Sequence, residues 1–465
     1  MPGAVELLET AMPAMSAMTL DLLPELVAFD SHAEGVRIPP GLTVPLTPRV
    51  RRLLDTPAMR RLARVGQLGL VSLIYPGAVH GRLEHSLGVY RLAIEFLARL
   101  RHVPRFAAAV GEADAAAFVV AALVHDIGHW PFCHPIEDMG LSLFPRHESL
   151  VLDILGQGEQ AAELERSWGV SPDRVAALIT GAATDPAGLI LHSLLSGPID
   201  VDKMDYLRRD SLHAGVPYGL HFDEERLLSS LCLDGSGTRL AITEKGRTAA
   251  EMLVFARYVM FSEVYWHHAV RSATAMLQRA VWLLRDRIDP WRLVREDDGG
   301  FIASLTQIAA GTAAAPLLDG LFGPRRSLFK RVASFDALRH PAIHRSLAGR
   351  TYEEKVAVAA RLAIACGGIG ENAVLIDAPP TEREVEFRLD VRDRGTERTA
   401  DGAFRWTSLA ELSPVVRSLA QEQFDDLVKR VRIFAPAEVA AAIAGRPDLE
   451  QLVLEAAGRP NGDGA

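Results

Sequence analysis

A mainly α-helical chain with one β-hairpin and a small α+β C-terminal subdomain is the fold that this sequence predicts, on three observations. Apolar residues recur at helical spacing through most of the stretch before Pro290. The segment Leu231-Cys232-Leu233-Asp234-Gly235-Ser236-Gly237-Thr238-Arg239-Leu240-Ala241-Ile242 sets two apolar-alternating runs on either side of an Asp-Gly turn, the pattern of a hairpin. Past Gly367-Gly368-Ile369-Gly370, the runs Val374-Leu375-Ile376, Val385 to Val391 and Val431-Arg432-Ile433-Phe434 read as strands with helices between and after them.

Taken in order, residues 1–48 alternate short apolar runs with Pro24, Pro39, Pro40, Pro45 and Pro48, which predicts short helices leading into an extended arm. Val50 to Val65 is helical, with Asp55-Thr56-Pro57 supplying an N-cap and a first-turn proline. A loop from Val71 to Ala78 then presents Arg82 and His85 at the start of a helix over Leu87 to Leu100. Ala115 to Val124 is a buried helix, which Pro131 and Pro135 are expected to break so that His129 and His134 turn inward. His147 opens another helix, Asp173–Thr180 and Leu189–Leu195 follow, and Pro198 stops the last just ahead of Asp200. One long helix is expected from about Thr248 to Leu284. The expected organisation is an arm (1–48), a helical core (49–290), a helical extension (291–372), the α+β subdomain (373–455) and a disordered tail (456–465).

Composition narrows the functional classes. A net charge of −9 opposes nonspecific nucleic-acid binding through a global field, so an anionic substrate needs a local cluster of Arg and Lys. Cys133, Cys232 and Cys366 are widely spaced and form no Cys-x-x-Cys pair, which argues for a reducing compartment. The Met-rich N-terminus has no basic leader and never reaches eighteen uninterrupted apolar residues, so a cytoplasmic protein without a membrane anchor is expected.

The chemistry concentrates in Leu123 to His134, where three histidines and an aspartate fall within ten residues. His125 and Asp126 point about 100° apart on a helix, yet an ion lodged against the helix end accepts both. Further ligands must come from a distance. The best candidates are His85, in Gly81-Arg82-Leu83-Glu84-His85-Ser86-Leu87-Gly88, and Asp202, in Ile199-Asp200-Val201-Asp202-Lys203-Met204-Asp205-Tyr206. Two imidazoles and two carboxylates suit a divalent manganese, iron, nickel or zinc ion better than calcium, which prefers oxygen donors. The plainer reading has His85 and Asp202 capping helices or pairing with arginines. His129, His134 and His147 are too many for one four-ligand centre, and imidazoles that titrate near neutral pH suit phosphate contact and proton transfer. Glu148, beside His147, is placed to orient a histidine.

Six blocks follow one another: Asp55-Thr56-Pro57, Gln67 to Gly88, His125 to His134, Arg146-His147-Glu148, Asp200 to Asp210, and Arg257 to His268. Over about half the chain they resemble the HD superfamily of metal-dependent phosphohydrolases, and within it the deoxynucleoside triphosphate triphosphohydrolase branch, which includes a vertebrate enzyme with an added sterile-alpha-motif domain. The resemblance implies an HD-type helical core and release of deoxynucleoside and inorganic triphosphate, with magnesium accompanying the triphosphate. It implies metal ligation by His85, His125, Asp126 and Asp202, and phosphate-side work for His134 and His147. Arg82, Lys203 and Arg257 would contact the triphosphate. Gln67 and Asp210 would bond the 3′-hydroxyl, Leu68 would lie near base and sugar, Tyr206 would pack on the sugar, and Tyr265 and His267 would close the pocket. A homo-oligomer, dimer or tetramer, with nucleotide at subunit contacts is also implied.

The chain departs from the family at the activator site around the Asp-Thr-Pro block. Asp55 is retained, but the glutamine and arginine of the vertebrate enzyme are replaced by Arg60 and Ala63. Arg60, Arg61 and Arg64 keep a cationic face for a regulatory nucleotide, or form an ordinary solvated helix face. Two other functions stay open: hydrolysis of nucleoside monophosphates or other phosphoesters, and a module that senses nucleotides or single-stranded nucleic acid without turnover.

Overall fold

The computed structural model describes residues 20–32, 34–379, 388–393, 404–419 and 427–458. The rest of the N-terminal arm, the first part of the Val385–Val391 run and the last seven residues of the tail lie outside the described residues. The chain is mainly helical, with three small sheets among the described residues. No helix among the described residues is long and apolar enough to cross a membrane.

The described part of the arm, from Leu20, is more ordered than its prolines suggest. After the helix Pro24–Asp30, β1 (Gly35–Ile38) and β2 (Leu42–Pro45) form an antiparallel hairpin whose turn holds Pro39, Pro40 and Gly41. The stretch expected as one helix over Val50 to Val65 is two, Pro48–Leu54 and Pro57–Leu62. Asp55 ends the first, and Thr56 opens the second without a capping side-chain bond, its hydroxyl donating instead to the Leu53 carbonyl.

Four helices frame the centre: α1 (Arg82–Leu100), α2 (Glu112–Val124), α3 (His147–Leu155) and α4 (Val201–Ala214). Glu112 and Asp114 sit in the first turn of α2, where carboxylates favour the positive helix end. Every residue from Ala115 to Val124 is buried, as expected of a helix apolar all round its surface. α1 packs against α2 and α4, with Gly88 at the crossing. A Cβ at Gly88 would overlap the Asp205 carboxylate and the Arg209 guanidinium of α4. The absent side chain therefore sets the distance between the two helices.

The expected long helix is interrupted. α5 (Arg247–Met260) runs into a π-helical turn, Phe261–Tyr265, then Trp266 and His267 leave the helix and α6 (His268–Leu284) begins with His267 as its N-cap. Apolar spacing continues through the turn, so periodicity does not reveal it, and the wider turn carries Tyr265 and Trp266 into a cavity. Pro135 likewise does not break a helix. α2 has already ended at Val124, and Pro135 lies inside the short helix Cys133–Glu137, entered through Phe132 at φ +56°.

The predicted hairpin forms from β3 (Leu231–Leu233) and β4 (Leu240–Thr243). A strand not anticipated, β5 (Lys330–Phe335), joins β6 (Leu375–Asp377) and β9 (Val431–Ala435) in an antiparallel sheet of order β5-β9-β6. β7 (Asp390–Arg392) pairs in parallel with β4 and antiparallel with β8 (Trp406–Ser408), so this segment extends the hairpin sheet and not the C-terminal one. Three apolar cores result among the described residues. The largest joins residues from Leu20 to Val270 with Leu389, Val391 and Leu409, the second surrounds α6 and includes Trp130 and Cys133, and the third backs the β5-β9-β6 sheet.

Arg271 of α6 donates to both oxygens of Asp377 on β6, at 2.5 and 3.0 Å, in a buried bidentate pair that ties the C-terminal sheet to the second core. Removing one partner strands a buried charge. Asp377→Ala is expected to lower stability by about 3–5 kcal/mol in denaturant unfolding.

Candidate active site

His125 follows the last residue of α2, and its Nδ1–H donates to the Ala122 carbonyl at 3.0 Å, which leaves Nε2 as the free lone pair. His85 lies in the first turn of α1 with Nδ1 donating to Asp205 at 2.8 Å, so its Nε2 is also presented forward. Asp202 stands in the first turn of α4, which Asp200 caps by accepting from the Lys203 amide at 2.7 Å. His85 Nε2 is 3.1 Å from His125 Nε2 and 3.0 Å from Asp202 Oδ1, and the latter is 3.8 Å from His125 Nε2. Ligand atoms around an ion at about 2.0–2.2 Å stand about 3.0–3.4 Å apart, so this donor set fits one divalent transition metal ion. Burial opposes a charged His85, yet hydrogen bonds to Asp202 and Asp205 push its pKa up to about 10.

Asp126 flanks this centre. Its Oδ1 is 3.4 Å from His125 Nε2, and Oδ2 accepts from Arg82 at 2.8 Å. Burial would raise its pKa, but His129, Arg82 and His125 hold the carboxyl well below the usual range.

Behind the centre runs a network that the motif reading missed. Arg209 grips Asp205 through two bonds of 2.8 and 2.7 Å and reaches Glu84 at 2.6 Å. Glu84 also pairs with His213 at 2.9 Å, His213 stacks on His80 at 4.2 Å, and His80 bonds Asp210 at 3.1 Å. The Tyr265 hydroxyl donates to Asp210 at 2.5 Å. Asp202, Asp205, Tyr206, Arg209, Asp210 and His213 recur at three- and four-residue spacing, so one face of α4 carries both the carboxylate beside His85 and His125 and the network behind it. That polar stripe is readable in the sequence.

In front lies a cavity of about 390 Å³ lined by Gln67, Leu68, Arg82, Cys133, His134, Asp138, Tyr265, Trp266 and Arg271, among others. His129 and His134 face each other with Nε2 atoms 3.2 Å apart, and the His147 ring lies 4.0 Å from that of His129. Gly128 makes this approach possible, because a Cβ there would overlap the His147 carbonyl oxygen. His134 is open to the cavity but walled by protein, and burial with Arg82 nearby pushes its pKa down to about 4. Burial and Arg82 lower His129 further. The partner that orients His147 is Glu137, which accepts from its Nδ1 at 2.9 Å, whereas Glu148 is 47% exposed, bonded to Arg146 and 3.5 Å from His147 Nε2. Glu137 lies three residues past the His125 to His134 block, and nothing in the sequence singles it out.

Lys203 salt-bridges Asp200 at 2.6 Å, and Arg257 stands near enough to Lys203 and Tyr206 to act on their charge while its guanidinium lies over Phe261. Tyr206 and Tyr265 meet edge to face at 6.4 Å, and burial pushes the Tyr206 phenol up to about 12. Gln67 is anchored by its backbone on His80, with its Oε1 buried and unbonded. His267 faces Tyr75 and is outside the cavity lining, where Trp266 stands instead. Asp55 and Arg60 are exposed, and Arg64 pairs with Asp297 at 2.7 Å. Arg61 is not part of a cationic face. It binds the carbonyls of His129 at 2.7 Å and Glu296 at 3.2 Å, and burial lowers its pKa to about 10.

This convergence of His85, His125 and Asp202 coincides with a family match. The HD domain profile covers residues 82–210, and the HD associated region covers 222–461. The chain belongs to the HD-domain family. It is 28% identical over 407 residues to an uncharacterized protein of Methanocaldococcus jannaschii, covering 83% of this chain and 75% of that protein. It is 27% identical over 270 residues to the deoxynucleoside triphosphate triphosphohydrolase SAMHD1 of Gallus gallus, covering 51% of this chain but only 43% of that protein. A crystal structure of a hypothetical protein from Aquifex aeolicus superposes with a TM-score of 0.67 at 25% identity, over 87% of this chain and 96% of that one. HD phosphohydrolases are hydrolases, and the His/Asp cluster of this HD domain is where a divalent metal would bind.

The network makes its own prediction. Asp205→Asn and Gly88→Ala each disturb the carboxylate that holds His85, and each is expected to weaken manganese binding about 10–100-fold in a calorimetric titration. Unchanged affinity in both would remove Asp205 from the metal site.

Proposed function

We propose that the chain hydrolyses deoxynucleoside triphosphates at the α-phosphorus, releasing deoxynucleoside and inorganic triphosphate. The observation that carries this reading is Arg82, which lines a cavity together with His134 and the buried, unbonded Gln67 Oε1 and at the same time donates to Asp126 beside the His85, His125 and Asp202 cluster. Its volume of about 390 Å³ lies in the range of small-molecule sites. The likeness to SAMHD1 supports the substrate class.

When bound, a divalent metal would lower the pKa of the attacking water and neutralise developing phosphate charge. Arg82, already oriented by Asp126, supplies a fixed guanidinium for a phosphate oxygen. His134, which lines the cavity with Arg82, would take up a proton as phosphate charge enters and pass it to the leaving 5′-oxygen. Gln67 and Asp210 would receive the 3′-hydroxyl, with the Asp210 carboxylate fixed by His80 and Tyr265. Tyr206, braced by Tyr265, would stand against the sugar and disfavour a 2′-hydroxyl.

The test is chromatographic separation of products from each deoxynucleoside triphosphate with manganese present, alone and in mixtures. Deoxynucleoside plus triphosphate is expected. Orthophosphate released from nucleoside monophosphates, with triphosphates untouched, would overturn the reading. His134→Gln is expected to lower kcat about 10²–10⁴-fold with a smaller change in KM.

A further inference from the structure

We propose that Cys133 and the histidines around it, His129, His134 and His147, form a second transition-metal site, distinct from His85, His125 and Asp202, that takes zinc when no substrate is present. One ring nitrogen of each histidine and the Cys133 Sγ lie within 4.8 Å of one another. The Nε2 atoms of His129 and His134 are 3.2 Å apart. Two nitrogens held at about 2.0–2.1 Å by a tetrahedral zinc ion stand about 3.4 Å apart, so these two are already close to ligand spacing.

The donor chemistry differs from that of the first centre. One sulfur and three imidazoles form a closed tetrahedral set suited to zinc, whereas the first centre offers imidazoles and carboxylate and no sulfur. Carboxylates stand behind two of the rings, as they commonly do behind metal-ligating histidines. Glu137 accepts from His147 Nδ1 at 2.9 Å, and Asp126 Oδ1 lies 3.1 Å from His129 Nδ1. His129 Nδ1 has no bond of good geometry, so a small ring rotation toward Asp126 would complete the same arrangement. The charge of Arg82 is answered by Asp126, and Glu137 adds a further negative charge. An ion enters through the cavity that Cys133 and His134 both line.

Binding forms one zinc–sulfur bond and releases one proton to water. Occupation removes the three histidines from other use. If they handle phosphate, as proposed above, zinc and substrate exclude one another, and that consequence alone rests on the proposed function.

Cobalt(II) serves as the probe, because only sulfur ligation gives a thiolate-to-cobalt charge-transfer band in the near ultraviolet. The full chain titrated with cobalt is expected to show this band, to keep it in Cys232→Ser and to lose it in Cys133→Ser. His134→Gln, which leaves the thiol in place, is expected to weaken the band-forming affinity about tenfold or more. A wild-type protein that binds cobalt without the band, or a band that survives Cys133→Ser, overturns the site. Turnover tests the exclusion separately: the zinc concentration for half-inhibition, each protein taken against its own uninhibited rate, is expected to rise about tenfold in Cys133→Ser. Equal inhibition of both proteins overturns exclusion, and a protein without turnover contradicts the hydrolase reading while the cobalt band still decides the metal site.

Discussion

The carboxylate of Asp205 is the constraint on which the site depends. It accepts from His85 Nδ1 and from two nitrogens of Arg209, all within 2.8 Å, in a pocket closed to water. Burial would raise its pKa, but Arg209 and His85 pull it down to about 2, so it stays charged. A charged Asp205 fixes the tautomer of His85 and turns Nε2 toward His125 and Asp202. The contact exists only because Gly88 lets α4 approach α1 without a side chain between them. A sequence position with no side chain thus sets how His85 is turned toward His125 and Asp202.

From that point the architecture is a set of clamps on one loop. The His125–His134 segment leaves the buried end of α2, is held by Arg61 through its carbonyls, and crosses into the second core through Trp130 and Cys133. Gly128 brings the start of α3 against it, and the π turn after α5 closes the other wall with Tyr265 and Trp266. Each clamp comes from a different element, which is how a few groups far apart in sequence come to share a cavity. Burying this many ionic groups is costly unless each has a partner, and Arg82–Asp126, Arg209–Asp205 and Arg271–Asp377 supply them.

The candidate site residues stand out in the sequence because their types are rare in a core. Histidines and aspartates at the end of an Ala/Val-rich helix announce themselves, and His85, His125 and Asp202 do converge. The supporting residues were less visible. Glu84, Asp205, Arg209 and His213 look like a solvated helix face in one dimension, and only the packing of α4 on α1 turns that face inward. Glu148 drew attention by adjacency to His147, while Glu137 takes the contact because a helix start, not neighbouring sequence, aims the ring. In the fold, the hairpin was readable from its Asp-Gly turn. The break between α5 and α6 was not, since a π turn preserves apolar spacing, and neither was the pairing of β7 with β4, because strand partners are set by tertiary packing.

The proposed function requires a metal ion at His85, His125 and Asp202 and a nucleotide in the cavity that Arg82 and His134 line. It is tested most directly by an anomalous-difference map from crystals grown with manganese and a non-hydrolysable deoxynucleoside triphosphate. The account predicts a manganese peak among His85, His125 and Asp202, with the phosphates beside Arg82 and His134 and the sugar between Gln67, Tyr206 and Asp210. A peak away from those three ligands, or a nucleotide bound outside the cavity, would contradict it.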